Sequence, residues 1–150
     1  YKCNMTDITA AIGLVELGRY DSDTLAKRKH IVTIYNSLLQ EDPRFELPVF
    51  ETKAKSSSYH LYPLRIRNIT EEQRDKIIQE IFNADVSVNV HFIPVPMMSF
   101  YKNMGYDIKN YPVTYENFSR EISLPVYYDL TDEQAASVVL AVTNAVKKVC

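Results

Sequence analysis

Three histidines, at positions 30, 60 and 91, are the side chains of this sequence best suited to proton transfer near neutral pH. His30 follows three consecutive basic residues, which favours a solvated surface position. His60 lies in a stretch rich in β-favouring residues, which favours a partly buried structural role. His91 lies on the polar side of an alternating segment, just before a loop that Pro94 constrains. A structural role and a functional role both stay open for His91.

Tyrosines concentrated in the second half of the chain form another candidate site. Their rings offer flat apolar faces with polar tips, which suits a pocket for a sugar or a nucleotide. Tyrosine is also enriched at subunit interfaces, so both interpretations stay open. Lys2 is either a solvated charge or a phosphate ligand, and the residues alone favour the solvated charge. The tyrosines concerned are Tyr101, Tyr106, Tyr111, Tyr115, Tyr127 and Tyr128.

The common signature motifs of nucleotide loops, zinc proteases and nucleophile elbows do not occur in the sequence. The 150 residues carry 17 basic and 19 acidic side chains, a formal net charge of −2. A chain with so small a charge generates no strong field, which argues against nucleic acid and anionic membrane surfaces as partners. An RNA-binding sheet is excluded for the same reason, and because paired strand aromatics are lacking.

Cysteine usage and the apolar runs bear on the location of the protein. Cys3 and Cys150 lie at opposite ends without metal-ligand spacing, which favours a reducing, cytoplasmic setting. Every apolar run is shorter than a membrane span, and no secretory leader pattern opens the chain, so we expect neither anchoring nor secretion. Because the chain opens at Tyr1 rather than at methionine, we expect it to be a piece of a longer protein.

Capping residues and helical periodicity predict the helices that must position these side chains. Thr70 and Thr131 each begin a capping box, in which the threonine and a glutamine three residues later satisfy each other's backbone amides. A break or bend near Tyr20 separates two helices at the beginning of the chain. The predicted helices run from Thr6 to about Gly18, over 21–40, from Thr70, over 114–120 and from Thr131.

Alternation of apolar and polar residues predicts the strands. The clearest strand is 86–92, with Val86, Val88, Val90 and Phe92 on one face. Further strands are expected over 59–67 and 121–126, and a short edge strand, weakened by Pro48, over 45–50. Together these elements predict an α+β fold in which helices cover a small, largely antiparallel sheet.

The opening segment YKCNMTDITAAIGL resembles the DegT/DnrJ/StrS family of sugar aminotransferases that depend on pyridoxal 5'-phosphate (PLP). The resemblance continues, in the family's order, through SYHLYP, VNVHFIP, SFY with MGY, and SLPVY with LT. It therefore extends over essentially the whole chain. A departure is Pro96, which stands where many members carry a second histidine.

The resemblance implies the C-terminal small domain of a fold-type I PLP transferase, with connecting helices over 1–41 and an α+β sheet layer over 42–150. The N-terminal domain, with the Schiff-base lysine, would lie outside this chain, which would then hold no catalytic residue and be inactive alone. The parent enzyme would form a homodimer. It would transfer an amino group, usually from glutamate, to a keto group of a nucleotide-linked sugar in polysaccharide or amino-sugar biosynthesis.

The same resemblance implies the site residues. Lys2 would contact the cofactor phosphate across the dimer, and no metal site is expected. The implied substrate-binding residues are Asn4, Asn89, His91, Phe92 and Tyr101. The alternative is a free-standing, non-catalytic α+β binding or dimerisation module that keeps the shape of the domain without its chemistry. If the chain is a domain separated from a longer enzyme, we expect an exposed apolar surface that the rest of the enzyme would cover.

Overall fold

Two helices joined by an irregular turn begin the chain in a computed structural model that describes residues 4–150. Helix α1 (Asp7–Arg19) begins as predicted at Thr6, whose hydroxyl accepts a hydrogen bond from the Thr9 amide at 3.3 Å. At the predicted break or bend near Tyr20 the helical path does not break: one π-helical turn, Tyr20–Thr24, leads directly into α2 (Leu25–Leu39). The wider i→i+5 hydrogen bonding of this turn explains why the periodicity changes there while the helical path continues.

A three-stranded antiparallel sheet forms the centre of the fold. Its strands, in spatial order, are β1 (Phe45–Glu46), β4 (Tyr62–Ile66) and β5 (Glu121–Leu124), and a separate hairpin pairs β2 (Glu51–Thr52) with β3 (Lys55–Ser56). The predicted edge strand over 45–50 contracts to two residues. The hairpin was not predicted, since its polar residues suggested a loop.

Four further α-helices follow along the chain. Helices α3 (Glu71–Phe82) and α6 (Asp132–Val149) begin at Thr70 and Thr131, and both capping boxes are formed. Between them lie α4 (Ser99–Asn103) and α5 (Pro112–Ser119). Helices α2, α3 and α6 bury one face each against β4 and β5, which confirms the α+β fold. Fully buried members of this core are Tyr35, Tyr62, Leu64, Ile77, Ile81, Ile122 and Val142.

The predicted strand over 86–92 is wrong: this segment is extended but pairs with β5 only through Asn89, which exchanges both backbone hydrogen bonds with Ser123 at 2.7 and 3.2 Å. A regular ladder would bond residue 87 to Pro125 and His91 to Glu121 next. Pro125 has no amide hydrogen to donate. At the other end, the His91 amide donates to the Glu121 side chain at 3.1 Å instead of to its carbonyl. The ladder therefore stops after one pair.

The apolar alternation of this segment holds for its first half only. Val86 and Val88 are half-buried and pack against the core, whereas Phe92, expected on the same face, is 71% exposed.

The prediction for His60 is also wrong, because its side chain is exposed beside α2, 3.1 Å from the Arg28 guanidinium. Strand β4 begins only at Tyr62, after Tyr59 has adopted a left-handed backbone conformation with φ of 53°.

Candidate cleft beside the antiparallel sheet

An open cleft of about 550 Å³ lies where β4 and β5 meet the 91–94 segment and α5. Its walls are mostly apolar, and a small number of charged and amide groups converge on it, which is the composition expected of a ligand site. The residues that line it are Pro48, Val49, Pro63, Arg65, His91, Phe92, Pro94, Thr114, Asn117, Phe118 and Glu121.

Arg65 is the cationic group of the cleft, and its guanidinium is held in place from two sides. One terminal nitrogen donates to Asn117 Oδ1, and the other pairs with a carboxylate oxygen of Glu46. The second oxygen of Glu46 accepts from Arg120 at 2.8 Å. The hydrogen bond from Arg120, with the charge of Arg65, holds the pKa of Glu46 below its usual value. The network thus fixes Arg65 while leaving part of its side chain open to the cleft.

Glu121 is the anionic group of the cleft and is buried, with 7% of its surface exposed. One carboxylate oxygen accepts from the Ser123 hydroxyl, and the other accepts from the His91 amide at 3.1 Å. Burial raises the pKa of Glu121, and these hydrogen bonds oppose the rise without cancelling it. Behind it, the buried guanidinium of Arg74 donates to the carbonyl of Phe118 at 2.9 Å and lies 3.4 Å from the carbonyl of Glu121.

His91 brings an unsatisfied polar atom to the cleft. Its Nδ1 is buried and has no hydrogen-bond partner among residues 4–150. The imidazole packs edge-on against the Phe92 ring, with centroids 4.6 Å apart. Since buried polar atoms are usually satisfied in folded proteins, this nitrogen marks a place where a further group is needed or where the ring reorients.

The structure brings only some of the predicted site residues together. His91 and Phe92 line the cleft, and Asn89 adjoins it through the bridge to Ser123. Tyr101 lies apart on α4, where its ring meets Tyr106 edge-to-face at 5.9 Å. Asn4 is exposed before α1 and does not line the cleft, and Lys2 lies outside the described residues.

Arg65, Asn117 and Glu121 were not predicted as site residues. The sequence did contain a signal for Arg65, because alternation in the predicted strand 59–67 places Pro63 and Arg65 on one face. Both line the cleft. Glu121 lies directly opposite Arg65 in the antiparallel register, which a sequence does not specify without knowledge of strand order.

The remaining tyrosines do not form one pocket. Tyr115 donates to Glu71 at 2.9 Å on α3, and Tyr128 donates to Asp23 at 2.8 Å in the π-helical turn. These two hydroxyls therefore connect neighbouring elements on the surface. The hypothesis of a single tyrosine-floored pocket receives no support from the part of the chain that the structure describes.

The side chains lining the cleft do not fit a covalently held aldehyde cofactor. Such a cofactor requires a lysine amine, and none of the residues that line the cleft is a lysine. Within residues 4–150, no group of three or more His, Cys, Asp or Glu side chains is placed to hold a metal ion. What the cleft offers is a fixed guanidinium, an exposed aromatic ring and a histidine, a set suited to non-covalent binding of a polar ligand with a flat or anionic part.

Helix α1 presents a large uncovered apolar surface. None of its residues is buried, and five large aliphatic side chains are between 61% and 77% exposed. So many large apolar side chains left to water on one helix are typical of a surface that meets another part of a protein. The exposed apolar surface that we expected of a domain separated from the rest of its enzyme is therefore present. It consists of Ile8, Ile12, Leu14, Val15 and Leu17. None of the helices over 4–150 combines the length and apolar character needed to cross a membrane.

The chain matches one aminotransferase family along nearly its whole length. The profile of the DegT/DnrJ/EryC1/StrS aminotransferase family matches residues 1–143. The spore coat polysaccharide biosynthesis protein SpsC of Bacillus subtilis is 31% identical, with 98% of this chain and 38% of SpsC covered. The UDP-4-amino-4,6-dideoxy-N-acetyl-beta-L-altrosamine transaminase of Campylobacter jejuni is 27% identical, with 99% of this chain and 39% of the relative covered.

A solved structure agrees with the fold in detail. The PMP form of the proposed sugar aminotransferase Spr1654 from Streptococcus pneumoniae superposes with a TM-score of 0.94 at 41% identity, over all of this chain and 37% of that one. This match confirms the predicted fold class, an α+β unit of a fold-type I PLP transferase. The chain spans less than two fifths of the length of each of these three relatives.

Proposed function

Because the chain belongs to the DegT/DnrJ/EryC1/StrS aminotransferase family, we propose that it is the C-terminal part of an enzyme that moves an amino group from glutamate onto a keto group of a nucleotide-linked sugar. The observation that carries this proposal is the cleft. His91 and Phe92, from the segment that resembles the family, line it together with the fixed guanidinium of Arg65. The segment that resembles the family and the Arg65 guanidinium, which can bind an anionic ligand, therefore line the same cleft.

The proposed domain division separates the first two helices from the sheet layer, and α2 shares the core of that layer. Residues 1–41 are the connecting helices, and residues 42–150 are the small domain that carries the sheet. The uncovered apolar side chains of α1 support this division, because they suit burial against the remainder of a longer chain. The relatives are long enough to contain such a remainder, since the chain spans only 38% of SpsC.

The cofactor proposed for the complete enzyme is PLP, held mainly by the part of the relatives that this chain does not cover. When bound, PLP would supply the chemistry for moving the amine from the donor to the keto carbon of the acceptor. The PMP form of the pneumococcal relative supports this assignment. Lys2 is proposed to contact the phosphate across a homodimer, and the chain alone is proposed to be inactive because its cleft lacks a lysine.

The substrate proposal is built on the cleft and on the names of relatives. Phe92 offers an exposed ring for stacking, and Arg65 is fixed for contact with an anionic group. The Campylobacter jejuni relative is named for a UDP-linked amino sugar, which supports a nucleotide-linked acceptor. Asn4, Asn89 and Tyr101 are proposed as further contacts, made once the rest of the enzyme is in place. The proposed setting is cytoplasmic amino-sugar synthesis.

The alternative function, a non-catalytic binding or dimerisation module, is also favoured by α1, because an apolar helix face suits a protein partner as well as a covalent neighbour. The two functions differ in what the complete protein does with PLP. An enzyme would show the absorbance of a cofactor bound to lysine and would lose it on addition of glutamate. A binding module would show neither change.

The decisive experiment measures 2-oxoglutarate release by the complete protein supplied with PLP, glutamate and a UDP-linked 4-keto sugar. We expect turnover, and we expect His91→Ala to raise KM for the sugar nucleotide. His30→Ala is the matched control, since His30 lies on α2 beside Asp132 and does not line the cleft. Absence of turnover with several nucleotide sugars, or an equal effect of both variants, would contradict the proposal.

A further inference from the structure

The carboxylate of Glu121 takes the place of a backbone acceptor in the sheet. The pairing of Asn89 with Ser123 puts His91 directly opposite Glu121, so a regular antiparallel ladder would carry the His91 amide to the Glu121 carbonyl. The amide instead donates to Glu121 Oε2 at 3.1 Å, and the carbonyl faces the Arg74 guanidinium at 3.4 Å. A side chain therefore redirects the chain at the point where the ladder stops.

Both oxygens of this carboxylate are engaged although it is buried. Ser123, two residues along β5, donates its hydroxyl to one oxygen, and His91 donates its amide to the other. A buried carboxylate is destabilising unless its oxygens accept hydrogen bonds, so the group and the His91 segment hold each other in place. The titratable and charged groups that face it are His91, on the adjoining segment, Arg74, on α3, and Arg65, its register partner on β4.

This redirection has a consequence for the cleft. Beyond the bridge, Phe92 projects away from the core with 71% of its surface exposed, while His91 turns its ring into the cleft wall with Nδ1 buried and unpartnered among residues 4–150. If the ladder continued to His91, the alternation of the strand would place Phe92 on the core side with Val86 and Val88. The rim formed by His91 and Phe92 therefore lies just beyond the point where the ladder ends, and the exposure of Phe92 is its departure from the regular alternation.

We propose that Glu121 is a positioning residue, whose carboxylate holds His91 and Phe92 out of the sheet as the rim of the ligand cleft. The role in substrate binding rests on the proposed function, because it assumes that this cleft receives the nucleotide-linked sugar. Glu121 acts by accepting a hydrogen bond from the His91 amide, which requires a side chain of the right length with an acceptor oxygen and does not require a negative charge. Variants that keep the length and variants that shorten the side chain should therefore behave differently.

Glu121→Gln keeps the reach and removes the charge. Its amide oxygen can accept from the His91 amide, and its amide nitrogen can donate to the Ser123 hydroxyl, so the rim is retained. Glu121→Asp keeps the charge and shortens the side chain by one methylene, and Glu121→Ala removes the acceptor altogether. Ile122→Val is the control for a general loss of stability, since Ile122 is the next residue of β5, is fully buried and does not line the cleft.

The first measurement is hydrogen exchange of the His91 amide in the complete protein that carries this chain. We expect exchange to accelerate by about tenfold in Glu121→Asp and Glu121→Ala, the loss corresponding to one charge-assisted hydrogen bond. Glu121→Gln is expected to stay within about twofold of the parent, and Ile122→Val to show no change centred on His91. Unchanged exchange at His91 in both shortened variants would overturn the proposal.

The second measurement is KM and kcat for the UDP-linked keto sugar. We expect the shortened variants to raise KM by about tenfold while kcat changes much less, with the parent value restored in Glu121→Gln. A rise in KM equal to that of Ile122→Val would overturn the role in substrate binding. If the exchange result holds but the parent protein itself does not transaminate, the proposed function fails and the positioning of the rim by Glu121 stands.

Discussion

Arg65 and Glu121 are register partners across β4 and β5, yet different neighbours hold their charged groups. The Arg65 guanidinium pairs with Glu46 and Asn117, while the Glu121 carboxylate accepts from Ser123 and from the His91 amide. Opposite charges facing each other across strands usually neutralise one another. Here each group is held by its own neighbours, so Arg65 and Glu121 do not neutralise each other, and Arg65 is the charged group that the cleft offers to a ligand.

Removing the cation of this pair is expected to weaken anion binding. Arg65→Met keeps most of the apolar stem and leaves Glu46 paired with Arg120 at 2.8 Å. We expect the affinity of the complete protein for UDP, measured by titration calorimetry, to fall by about tenfold or more, the worth of a charge-assisted contact. Arg67→Met serves as the control, because Arg67 is exposed and does not line the cleft. Equal losses in the two variants would argue against a binding role for Arg65.

The buried Glu121 should make stability depend on pH in an unusual direction. Burial raises its pKa, so the folded state binds this proton more readily than the unfolded chain does. Its contribution to the free energy of unfolding therefore falls as pH rises from roughly pH 4, near the unfolded value of a glutamate, through the higher folded value. Glu121→Gln cannot ionise, and urea unfolding should show it gaining stability relative to the parent between about pH 4 and pH 7.

Glu46 supplies a comparison with the opposite sign. The hydrogen bond from Arg120 and the nearby arginine charges lower its pKa, so its stabilising effect is present above the unfolded value and is lost as pH falls through the folded value. Glu46→Gln should therefore lose stability relative to the parent as pH rises through the range below about pH 4, from the lowered folded value to the unfolded value. If the stability of both variants relative to the parent changed in the same direction with pH, the pKa directions given for Glu121 and Glu46 would be contradicted.

Two tyrosine hydroxyls buried between α2 and the sheet are expected to stabilise the core. Tyr62 donates to Asn36 at 2.7 Å, and Tyr35 donates to the carbonyl of Pro125 at 2.8 Å. Removing either hydroxyl leaves an acceptor without its partner. We expect Tyr62→Phe and Tyr35→Phe each to lower the free energy of unfolding by about 1 to 2 kcal/mol. Tyr106→Phe, at an exposed tyrosine, should change it by less than about 0.5 kcal/mol in the same urea titration.

The uncovered face of α1 should make the 150-residue chain self-associate. Sedimentation velocity is expected to show association that decreases in Ile8→Glu, because a charge on the apolar face opposes burial. Leu38→Glu is the control, as Leu38 is an exposed leucine on α2, away from α1. If the parent chain is monomeric at all concentrations, or if Leu38→Glu dissociates it equally, the α1 surface is not responsible.

Local signals were enough to predict most helices and the fold class. Thr70 with Gln73 and Thr131 with Gln134 specify helix starts through contacts within one turn, so no distant residue is needed to form them. The same holds for the Thr6 cap of α1. The family resemblance likewise depends on short motifs in order, and the profile match over residues 1–143 agrees with it.

Strand pairing could not be predicted in this way, as the 86–92 segment shows. Its alternation has the period of a strand, but whether it joins a sheet depends on the partner edge, where Pro125 lacks a donor and the Glu121 side chain competes for the His91 amide. Those residues lie some thirty positions further along the chain. The short hairpin of β2 and β3 was missed because polar strands of two residues leave no alternation to detect.

The sequence alone determined the helix caps, the α+β class and the family, since these depend on residue type and close spacing, and the resemblance predicted His91 and Phe92 as site residues. Only the tertiary structure decided that Arg65, Asn117 and Glu121 share one cleft with them, and that Tyr101 and Asn4 do not line it. The physical reason is that a cleft forms where non-local strand register, helix packing and buried polar contacts coincide. These interactions join residues far apart in the chain, so no local pattern specifies them.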